Sequence, residues 1–286
     1  MTIIVTGATG HLGHLIVDAL LRDGTPAADI VAAGRNTAKL DDLAALGVRV
    51  ARIDFSEPET LAAAFAGADT LMLVSASEPG QRFPQHKAAI DAAKAAGVSR
   101  IVYTSAPAAT TSALVLAPEH KATEEYLVAS GVPFTILRNG WYTENYTGSA
   151  KQAIATGTLA SSTGAGTVSS ASRKDYADAA AAVLVDDSHS GQTYELSGDT
   201  AWDFAELAAA ITEVSGTPVA YAPLSPEEHH AALLGAGLDE GTAGFVVALD
   251  GNIRDGLLGH TPGDLARLIG RPTTPLREGL AAELVE

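Results

Sequence analysis

The sequence predicts a doubly wound α/β fold, with a parallel sheet covered by helices on both faces, followed by a smaller α+β lobe. Short runs rich in β-branched residues alternate with helical stretches through residues 1–138. A glycine closes each helical stretch, as at Gly24, Gly47 and Gly67. A glycine-rich turn joins the first strand to the first helix. A chain of 286 residues, 47% of them hydrophobic, is large enough for both parts.

The elements of the first domain, residues 1–138, follow one another at regular spacing. The predicted strands are 2–6, 30–33, 48–53, 70–74, 101–104 and 134–137, and the predicted helices are 12–22, 38–46, 57–65, 85–96 and 119–130. Because parallel strands need crossover connections, this order predicts one open sheet with right-handed crossovers.

The regular alternation of strands and helices ends after residue 138. We expect residues 139–286 to form a smaller lobe that covers the substrate. Its predicted helices are 146–156, 173–186, 204–215, 226–234 and 261–268, with a loop-rich stretch at 157–172 that includes a short strand and another short strand at 218–221. The strand predicted at 192–196 is expected to join the sheet of the first domain.

Charge and composition exclude several classes of function. The chain has 18 lysines and arginines against 34 aspartates and glutamates, a net charge of −16 that disfavours nucleic acid and anionic lipid as partners. The absence of cysteine excludes disulfides, thiolate metal sites and cysteine nucleophiles. There is no signal-peptide pattern and no run of about 18 apolar residues, so we expect a cytoplasmic protein without a membrane span that acts on small molecules.

Residues 7–13, Gly-Ala-Thr-Gly-His-Leu-Gly, have the character of a phosphate-binding loop. Gly7 permits the tight turn out of the strand, Gly10 lets the backbone approach a pyrophosphate, and Gly13 allows close packing of the helix on the strand. The helix N-terminus then offers free N–H groups and its positive dipole end to phosphate. The alternative is a turn without a ligand, but the position between first strand and first helix favours a Rossmann dinucleotide site.

The end of the second predicted strand indicates which dinucleotide binds. An NAD site usually has an acidic residue there to bind the ribose hydroxyls, whereas this chain has Arg35, with Lys39 a turn later. A guanidinium can hold a 2′-phosphate through two hydrogen bonds and Lys39 can add a charge, so we expect NADPH rather than NADH. The alternative is that both residues are ordinary surface cations.

The third predicted strand is followed by Asp54 and Phe55. Asp54 can accept a hydrogen bond from the adenine amino group, and Phe55 can flank the ring. Alternatively, Asp54 or Ser56 caps the helix predicted at 57–65. The sequence leaves both interpretations open.

Beyond the phosphate loop, the chain carries a series of short motifs. They are Arg35-Asn36 with Lys39, Ser75-Ala76-Ser77-Glu78, Gln81-Arg82, Gln85-His86, Tyr103-Thr104-Ser105, Leu137-Arg138-Asn139-Gly140-Trp141-Tyr142, Tyr194-Glu195-Leu196, Gly198-Asp199 with Trp202, and Leu268-Ile269-Gly270-Arg271-Pro272. Together with the G-x-x-G-x-x-G spacing of the loop, they resemble the NmrA-like atypical short-chain dehydrogenases/reductases. The resemblance runs through the whole chain and points to the bacterial NADPH:quinone oxidoreductase subgroup, with triphenylmethane reductases as near relatives.

The resemblance implies a place along NADPH for each group of residues. Gly7, Thr9, Gly10, His11 and Leu12 would line the pyrophosphate, with Gly13 completing the loop; Arg35, with Lys39 nearby, would hold the 2′-phosphate; Asp54 and Phe55 would lie near adenine; Ser75, Ala76 and Ser77, with Ser105 grouped beside them, would pass along the central portion; and Asn139, Gly140, Trp141 and Tyr142 would frame the nicotinamide and the substrate.

The same resemblance implies a site that lacks the usual catalytic pair of short-chain dehydrogenases. Those enzymes normally have a tyrosine as proton donor and, four residues later, a lysine that lowers the pKa of the tyrosine. In this chain, His120 stands in the tyrosine position and Glu124 in the lysine position. Their presence argues against alcohol–ketone interconversion and against sugar-nucleotide epimerisation, which need a strong acid/base partner. Quinone reduction is less demanding, because the acceptor takes hydride readily and leaves a weakly basic oxyanion.

We predict His120 as the side-chain proton donor, because the ordinary pKa of histidine lies near neutrality, with Asn139 and Tyr142 as further catalytic candidates. The alternatives are that His120 is a helix-start residue without a catalytic role, and that Tyr142 and Trp141 only pack between the two lobes.

The expected function is a flavin-free, NADPH-dependent reductase that passes hydride to a quinone-like small molecule. The alternative is an NmrA-type redox sensor that binds NADP(H) without turnover and regulates a partner protein. We expect no metal, because His229 and His230 are adjacent and point to different sides of a helix, and His86 has no matching carboxylate spacing. The sequence leaves a homodimer open.

Overall fold

The computed structural model describes residues 1–76, 78 and 80–284, and each predicted strand and helix has a counterpart in it. The strands are β1 (Ile3–Val5), β2 (Ile30–Gly34), β3 (Arg49–Arg52), β4 (Thr70–Leu73), β5 (Arg100–Ser105), β6 (Phe134–Asn139), β7 (Thr158–Ser161), β8 (Thr193–Leu196) and β9 (Ala220–Pro223). The helices are α1 (His11–Arg22), α2 (Asp41–Ala45), α3 (Pro58–Phe65), α4 (Arg82–Ala95), α5 (Ala117–Ser130), α6 (Thr147–Thr156), α7 (Arg173–Leu184), α8 (Phe204–Ser215), α9 (Pro226–Gly235), α10 (Glu240–Arg254), α11 (Asp264–Ile269) and α12 (Leu276–Leu284).

The main sheet of the described chain has seven strands in the order β3-β2-β1-β4-β5-β6-β8. The pairings from β3 through β6 are parallel. β8 runs in the same direction, because Gly191 donates to the carbonyl of Phe134 while Ile136 donates to that of Gln192. Strand order reverses between β1 and β4, which is the switch point of a doubly wound sheet. The predicted fold class is confirmed.

Two compact units make up the described chain. The first unit is Met1–Thr110, Leu116–Asn139 and Arg173–Glu195, and the second is Thr111–Val115, Gly140–Ser172 and the described residues from Leu196 onward. The division departs from the boundary expected at residue 138 at more than one place, since Asn139 lies in the first unit and Thr111–Val115 in the second. Helix α7, expected in the smaller lobe, belongs to the first unit, because it packs against α1 beside the sheet.

The strands β1, β2, β4 and β5 of the first unit are buried on both faces of the sheet. One face carries Ile4, Leu71 and Ile101, which pack with Phe65 of α3 and Ile90 of α4. All five side chains are fully buried. This double burial explains why the strands read as continuous apolar runs rather than as alternating patterns.

The second unit has its own small sheet and aromatic cluster. β7 and β9 pair in parallel. Tyr146, Trp202 and Phe204 meet edge to face or at a tilt, with ring centroids 5.1 to 6.1 Å apart. Reciprocal side-chain hydrogen bonds between Asp203 and Glu206 start α8, and the same capping box starts α9.

Two helices of the second unit, α10 and α12, were not predicted from the sequence. α10 contains Gly241, Gly244 and Gly251, and glycine weakens a helical pattern because its backbone is so free. It forms nonetheless, with the carboxylate of Asp239 accepting from the Thr242 N–H at its start. None of the described helices is both long enough and apolar enough to cross a membrane.

Candidate active site

A groove of about 380 Å³ lies over the carboxyl ends of β1, β2, β3 and β4 in the first unit. Its size is in the range of small-molecule sites, and its place is the switch point of the sheet, where doubly wound folds bind their ligands. The lining residues are Gly7, Thr9, Gly10, His11, Leu12, Gly13, Gly34, Arg35, Ile53, Asp54, Phe55, Val74, Ser75, Ala76, Glu78, Gln85 and Arg173.

Most of the residues predicted to bind the cofactor therefore line one groove. Lys39 and Ser105 are not among the lining residues, and Ser77 lies outside the described residues. Lys39 is exposed on a short 3₁₀ turn that follows β2. Six further residues line the groove without having been predicted to bind the cofactor: Gly34, Ile53, Val74, Glu78, Gln85 and Arg173.

The phosphate loop has the geometry that its three glycines predict. Gly7 has a φ of +64°, which L side chains rarely adopt, and the Gly10 N–H donates to the Gly7 carbonyl at 2.9 Å. Gly10 is the residue before α1, and no side chain of the described residues caps the helix. The N-terminal N–H groups of α1 are therefore available to an anion.

Gly13 and Gly34 are required by the space around them. A β-carbon on Gly13 would lie 2.3 Å from the Gly7 carbonyl oxygen, and one on Gly34 would lie 2.5 Å from the Thr9 methyl carbon. A β-carbon on Gly10 would be 3.3 Å from the Gly7 oxygen. At these glycines the groove therefore presents bare backbone, the surface that a pyrophosphate needs for close approach. The residues present fit a dinucleotide.

Arg35 reaches out from the end of β2 with its side chain 68% exposed. Its Nη1 donates to Glu78 Oε1 at 3.0 Å, and Gln85 Nε2 donates to the other carboxylate oxygen of Glu78. The guanidinium is thus held at the groove by the Glu78 carboxylate. Because an exposed ion pair of this kind contributes little to stability, a phosphate can take the place of the carboxylate.

Asp54 does not cap α3, and neither does Ser56: the residue before the helix is Glu57, and it has no side-chain cap. Instead, Asp54 accepts hydrogen bonds from the backbone N–H and the hydroxyl of Ser56. These bonds, with a smaller contribution from the charge of Arg35, lower the pKa of Asp54. The capping interpretation is therefore wrong, and the carboxylate lines the groove as an acceptor.

The backbone of Ala76 is fixed by two side chains of α4. The Ala76 N–H donates to His86 Nε2 at 2.9 Å, and Arg82 Nε donates to the Ala76 carbonyl at 2.8 Å. Arg82, almost fully buried, is itself paired with Glu119 of α5. The segment after β4, which passes along the groove, is therefore held from behind by α4 and α5.

The hydrogen bonds of His86 determine its tautomer. Nε2 accepts from Ala76, so in the neutral ring the proton is on Nδ1, which lies 3.0 Å from Thr123 Oγ1. The Thr123 hydroxyl in turn donates to the carbonyl of Glu119. Burial, with the positive charge of Arg82, lowers the pKa of His86 to about 3, so the ring is neutral at physiological pH.

His120 is also buried, and its Nδ1 lies 2.7 Å from the Tyr103 hydroxyl. Burial and the charge of Arg82 lower the pKa of His120 to about 3. The reason for choosing His120 as proton donor, a pKa near neutrality, therefore does not hold in the folded protein. The imidazole is a neutral partner of Tyr103, whose own pKa is raised by burial.

We expect the free energy of unfolding, measured without cofactor, to fall as pH is lowered from about 6.5 toward 3. The folded pKa of His86 and of His120 is about 3, below the ordinary 6.5, so only the unfolded chain binds these protons in this window. The stability that each neutral histidine contributes is fully present above the pKa of the unfolded chain, and it is lost as the pH falls toward the pKa of the folded protein. Each histidine contributes about 1.4 kcal/mol per pH unit where its unfolded form is mostly protonated. Urea titrations above about pH 5, where few carboxylates titrate, measure the slope.

The variant His120→Gln keeps a hydrogen-bonding group beside Tyr103 but cannot titrate, so we expect a clearly shallower slope. His260→Gln, at an exposed side chain, is the matched control and should keep the native slope. An unchanged slope in His120→Gln would show that His120 is not held neutral by burial.

Glu124, which stands in the usual lysine position, takes part in a buried ion pair. Its carboxylate receives two hydrogen bonds from the Arg138 guanidinium, at 2.6 and 2.9 Å, and one from the Ser105 hydroxyl at 2.6 Å. Arg138 also donates to Glu195 at 2.8 Å. Both carboxylates raise the pKa of Arg138. The Ser105 hydroxyl, predicted to be near the cofactor, thus has its proton directed to Glu124.

The block at 139–142 spans the end of one unit and the start of the next. Asn139 is the buried last residue of β6. Within the second unit, the Gly140 N–H donates to the Leu196 carbonyl at 2.7 Å, and Tyr142 forms a parallel bridge with Ala171. Trp141 lines a cavity of the second unit. The described residues contain no group of three or more histidine, aspartate or glutamate side chains placed to hold a metal ion.

Several known proteins are similar to this chain in both sequence and fold. Quinone oxidoreductase 2 of Escherichia coli (strain K12) is 46% identical over 279 residues, which are 98% of this chain and 97% of that protein. The structure of the NADPH-dependent quinone oxidoreductase from Escherichia coli complexed with NADPH has a TM-score of 0.94 and 46% identity, covering 98% of this chain and 99% of that chain. Triphenylmethane reductase from Citrobacter sp., complexed with NADP(H), has a TM-score of 0.93 and 38% identity, covering 99% and 100%.

The resemblance predicted from the short motifs is confirmed by these relatives. Residues 7–187, which include the phosphate loop and all of the groove lining, match the model of a family described as NAD(P)H-binding. The match covers more than half of the chain, and the relative from Escherichia coli is similar along almost the whole length. This chain is therefore a member of the NAD(P)H-binding family.

Proposed function

We propose that the protein is an NADPH-dependent, flavin-free reductase that transfers hydride to quinone-like acceptors. The observation that supports it most is the groove at the switch point, in which a bare glycine loop and the Arg35 guanidinium offer sites for a pyrophosphate and a 2′-phosphate. The similarity to quinone oxidoreductase 2 supports the acceptor class. A cytoplasmic location is part of this proposal.

In this proposal, the N–H groups at the start of α1 bind the pyrophosphate, with Thr9, His11 and Leu12 around it. Arg35 binds the 2′-phosphate, with Lys39 adding a long-range positive charge. Asp54 accepts from the adenine amino group, and Phe55 covers one side of the ring. We also propose Ser75 and Ala76, with Ser77 and Ser105, as residues for the central portion of the cofactor.

NADPH, when bound, supplies the hydride. The protein then has to hold the acceptor against the nicotinamide ring. We propose four residues for this role: Asn139, Gly140, Trp141 and Tyr142. His120 stays a proposed site residue, acting as a neutral hydrogen-bond partner of Tyr103. A quinone needs no strong acid at this point, because the reduced ring oxygen is weakly basic.

The test is steady-state oxidation of NADPH by the purified full-length protein with benzoquinone, naphthoquinone and triphenylmethane dyes, together with an assay for bound flavin. We expect quinone-dependent NADPH consumption without flavin, and much slower consumption with NADH. Tight NADPH binding without turnover on any acceptor would contradict the proposal and favour the redox sensor.

Replacing Arg35 with alanine is expected to raise the Kd for NADPH roughly 10-fold and to leave the Kd for NADH almost unchanged. A charge-assisted hydrogen bond is worth about 1.5–3 kcal/mol, and the exposure of Arg35 places this one at the lower end. Isothermal titration with both cofactors measures the two constants. Equal losses for both would mean that Arg35 does not bind the 2′-phosphate.

The companion variant Glu78→Gln should shift NADPH affinity the other way. It removes the anion that competes for Arg35 but keeps an oxygen for Gln85. We expect the Kd for NADPH to fall by about two- to five-fold at low salt, with little change for NADH. The opposite shifts of the two variants together separate charge recognition from a general distortion of the groove.

A further inference from the structure

The second unit contains a cavity of about 390 Å³, within the size range of small-molecule sites, and its lining residues all differ from those of the dinucleotide groove. Its walls are largely apolar and aromatic, with Trp141, Phe204, Leu233 and Leu249 among them. Four buried polar side chains also line it: Tyr146, Ser161, His229 and Asp250. Ser161 is bonded to Thr163 and Tyr221, and Asp250 to Ser162 and His229. His229 and Tyr146 are therefore the groups through which the cavity can recognise a ligand.

His229 is only 7% exposed, and its orientation is fixed from behind. Its Nδ1 lies 3.0 Å from the carboxylate of Asp250, which also accepts the N–H and the hydroxyl of Ser162. An ionised carboxylate can only accept, so the imidazole proton must lie on Nδ1. Among the described residues nothing hydrogen-bonds to Nε2. With its proton on Nδ1, the ring has Nε2 left as an acceptor atom for a ligand hydroxyl.

Tyr146 is the second recognition group. Its side chain is 8% exposed, and although the Trp141 side chain lies beside its hydroxyl, the described residues offer that hydroxyl no acceptor for its proton. Burial and the charge of Asp250 raise the pKa of Tyr146, so the phenol keeps its proton. A buried donor without an acceptor is unfavourable, and a ligand oxygen would remove that cost.

Ser162, His229 and Asp250 do not form a hydrolytic triad. In such a triad, histidine takes the serine proton on the ring nitrogen opposite the one that faces the carboxylate. Here Ser162 Oγ lies on the Nδ1 side of His229, at 3.3 Å, and donates to the same Asp250 oxygen. The group is therefore suited to hold the ring in place, not to activate a nucleophile.

We propose that this cavity binds a flat, bicyclic aromatic molecule that carries a hydroxyl group, with His229 Nε2 accepting the hydroxyl proton and Tyr146 donating to a ligand oxygen. The apolar and aromatic walls suit the rings, and the fixed acceptor selects the hydroxyl. The inference rests on the proposed function and deepens it: hydroxylated quinones and quinols are the substrate class that the second unit recognises.

The test compares binding of 2-naphthol and 2-methoxynaphthalene to the full-length protein without NADPH, by isothermal titration and by quenching of Trp141 fluorescence in a Trp202→Phe background. We expect 2-naphthol to bind about 10-fold more tightly, because the methyl ether cannot donate and leaves Nε2 unpaired. Equal binding of both probes, or binding of neither, would overturn the proposal.

Removing His229 alone leaves Asp250 buried without one of its donors and can unfold the chain. The double variant His229→Leu/Asp250→Asn avoids this, and a folded double variant should lose the preference for 2-naphthol. Tyr146→Phe is the second variant, expected to weaken 2-naphthol binding several-fold. The matched control is His230→Leu, because His230 pairs with Glu240 and neither residue lines the cavity. This variant should bind 2-naphthol like the native chain.

Turnover separates this inference from the proposed function. If plain quinones are reduced with NADPH but the two naphthalenes bind equally, only the inference about His229 fails. If 2-naphthol is preferred but no quinone is reduced, the cavity stands as a binding site and the proposed reductase activity fails. A folded double variant that keeps the preference for 2-naphthol would contradict the assignment of Nε2.

Discussion

Replacing Gly13 with alanine is expected to raise the Kd for NADPH roughly 10- to 100-fold. The new β-carbon would lie 2.3 Å from the Gly7 carbonyl oxygen and 2.8 Å from the Ala8 nitrogen, so the turn between β1 and α1 has to open. Overpacking against backbone typically costs about 1–3 kcal/mol, and here the displaced atoms are those of the phosphate loop. Isothermal titration with NADPH measures the loss.

The control for Gly13→Ala is Gly244→Ala, also within a helix but with nothing within 4 Å of the new β-carbon. That variant should bind NADPH like the native chain and gain up to about 1 kcal/mol in unfolding free energy, because alanine is the better helix former. If Gly13→Ala binds NADPH with native affinity, close packing of α1 on the loop is not what shapes the site.

Glu124→Ala is expected to cost about 3 kcal/mol in the free energy of unfolding. The substitution leaves the partly buried Arg138 guanidinium and the buried Ser105 hydroxyl without their main acceptor. Breaking a buried ion pair from one side typically costs about 3–5 kcal/mol, and the remaining bond to Glu195 places this case at the lower end. Urea denaturation at neutral pH, monitored by circular dichroism, gives the value.

Glu125→Ala, one residue further along α5, is the matched control. Its ion pair with Lys121 is long, at 3.9 Å, and exposed, so we expect a change below about 0.5 kcal/mol. The double variant Glu124→Leu/Arg138→Met removes both buried charges and should recover much of the loss. Similar losses for Glu124→Ala and Glu125→Ala would mean that the buried pair does not stabilise the fold.

The first unit could be predicted almost fully, because its signals are local. Strand runs, helix-closing glycines and the loop at 7–13 each follow from backbone geometry within a few residues, and the structure places them at the switch point. The second unit was harder. α10 carries three glycines, and α12 is a short helix that follows Pro275, so neither has a strong helical pattern.

The candidate site divides in the same way. The loop glycines, Arg35 and Asp54 could be placed at the groove from sequence, since each follows the end of a strand. The environment of His120 could not, because its neutral state depends on burial and on the charge of Arg82, which is 38 positions earlier in the chain (120 − 82). His229 was considered only as a metal ligand, since nothing local in the sequence shows that Asp250 orients its ring.

The two hydrogen bonds that hold the backbone of Ala76 prepare the groove for the cofactor before it binds. Both polar groups of that residue's backbone are already satisfied by His86 and Arg82, so the conformational entropy of this part of the groove is lost during folding and not during association. The groove is to that extent preorganised. Side chains such as Thr123, which is bonded to His86 and is not among the groove-lining residues, therefore contribute to the shape of the groove.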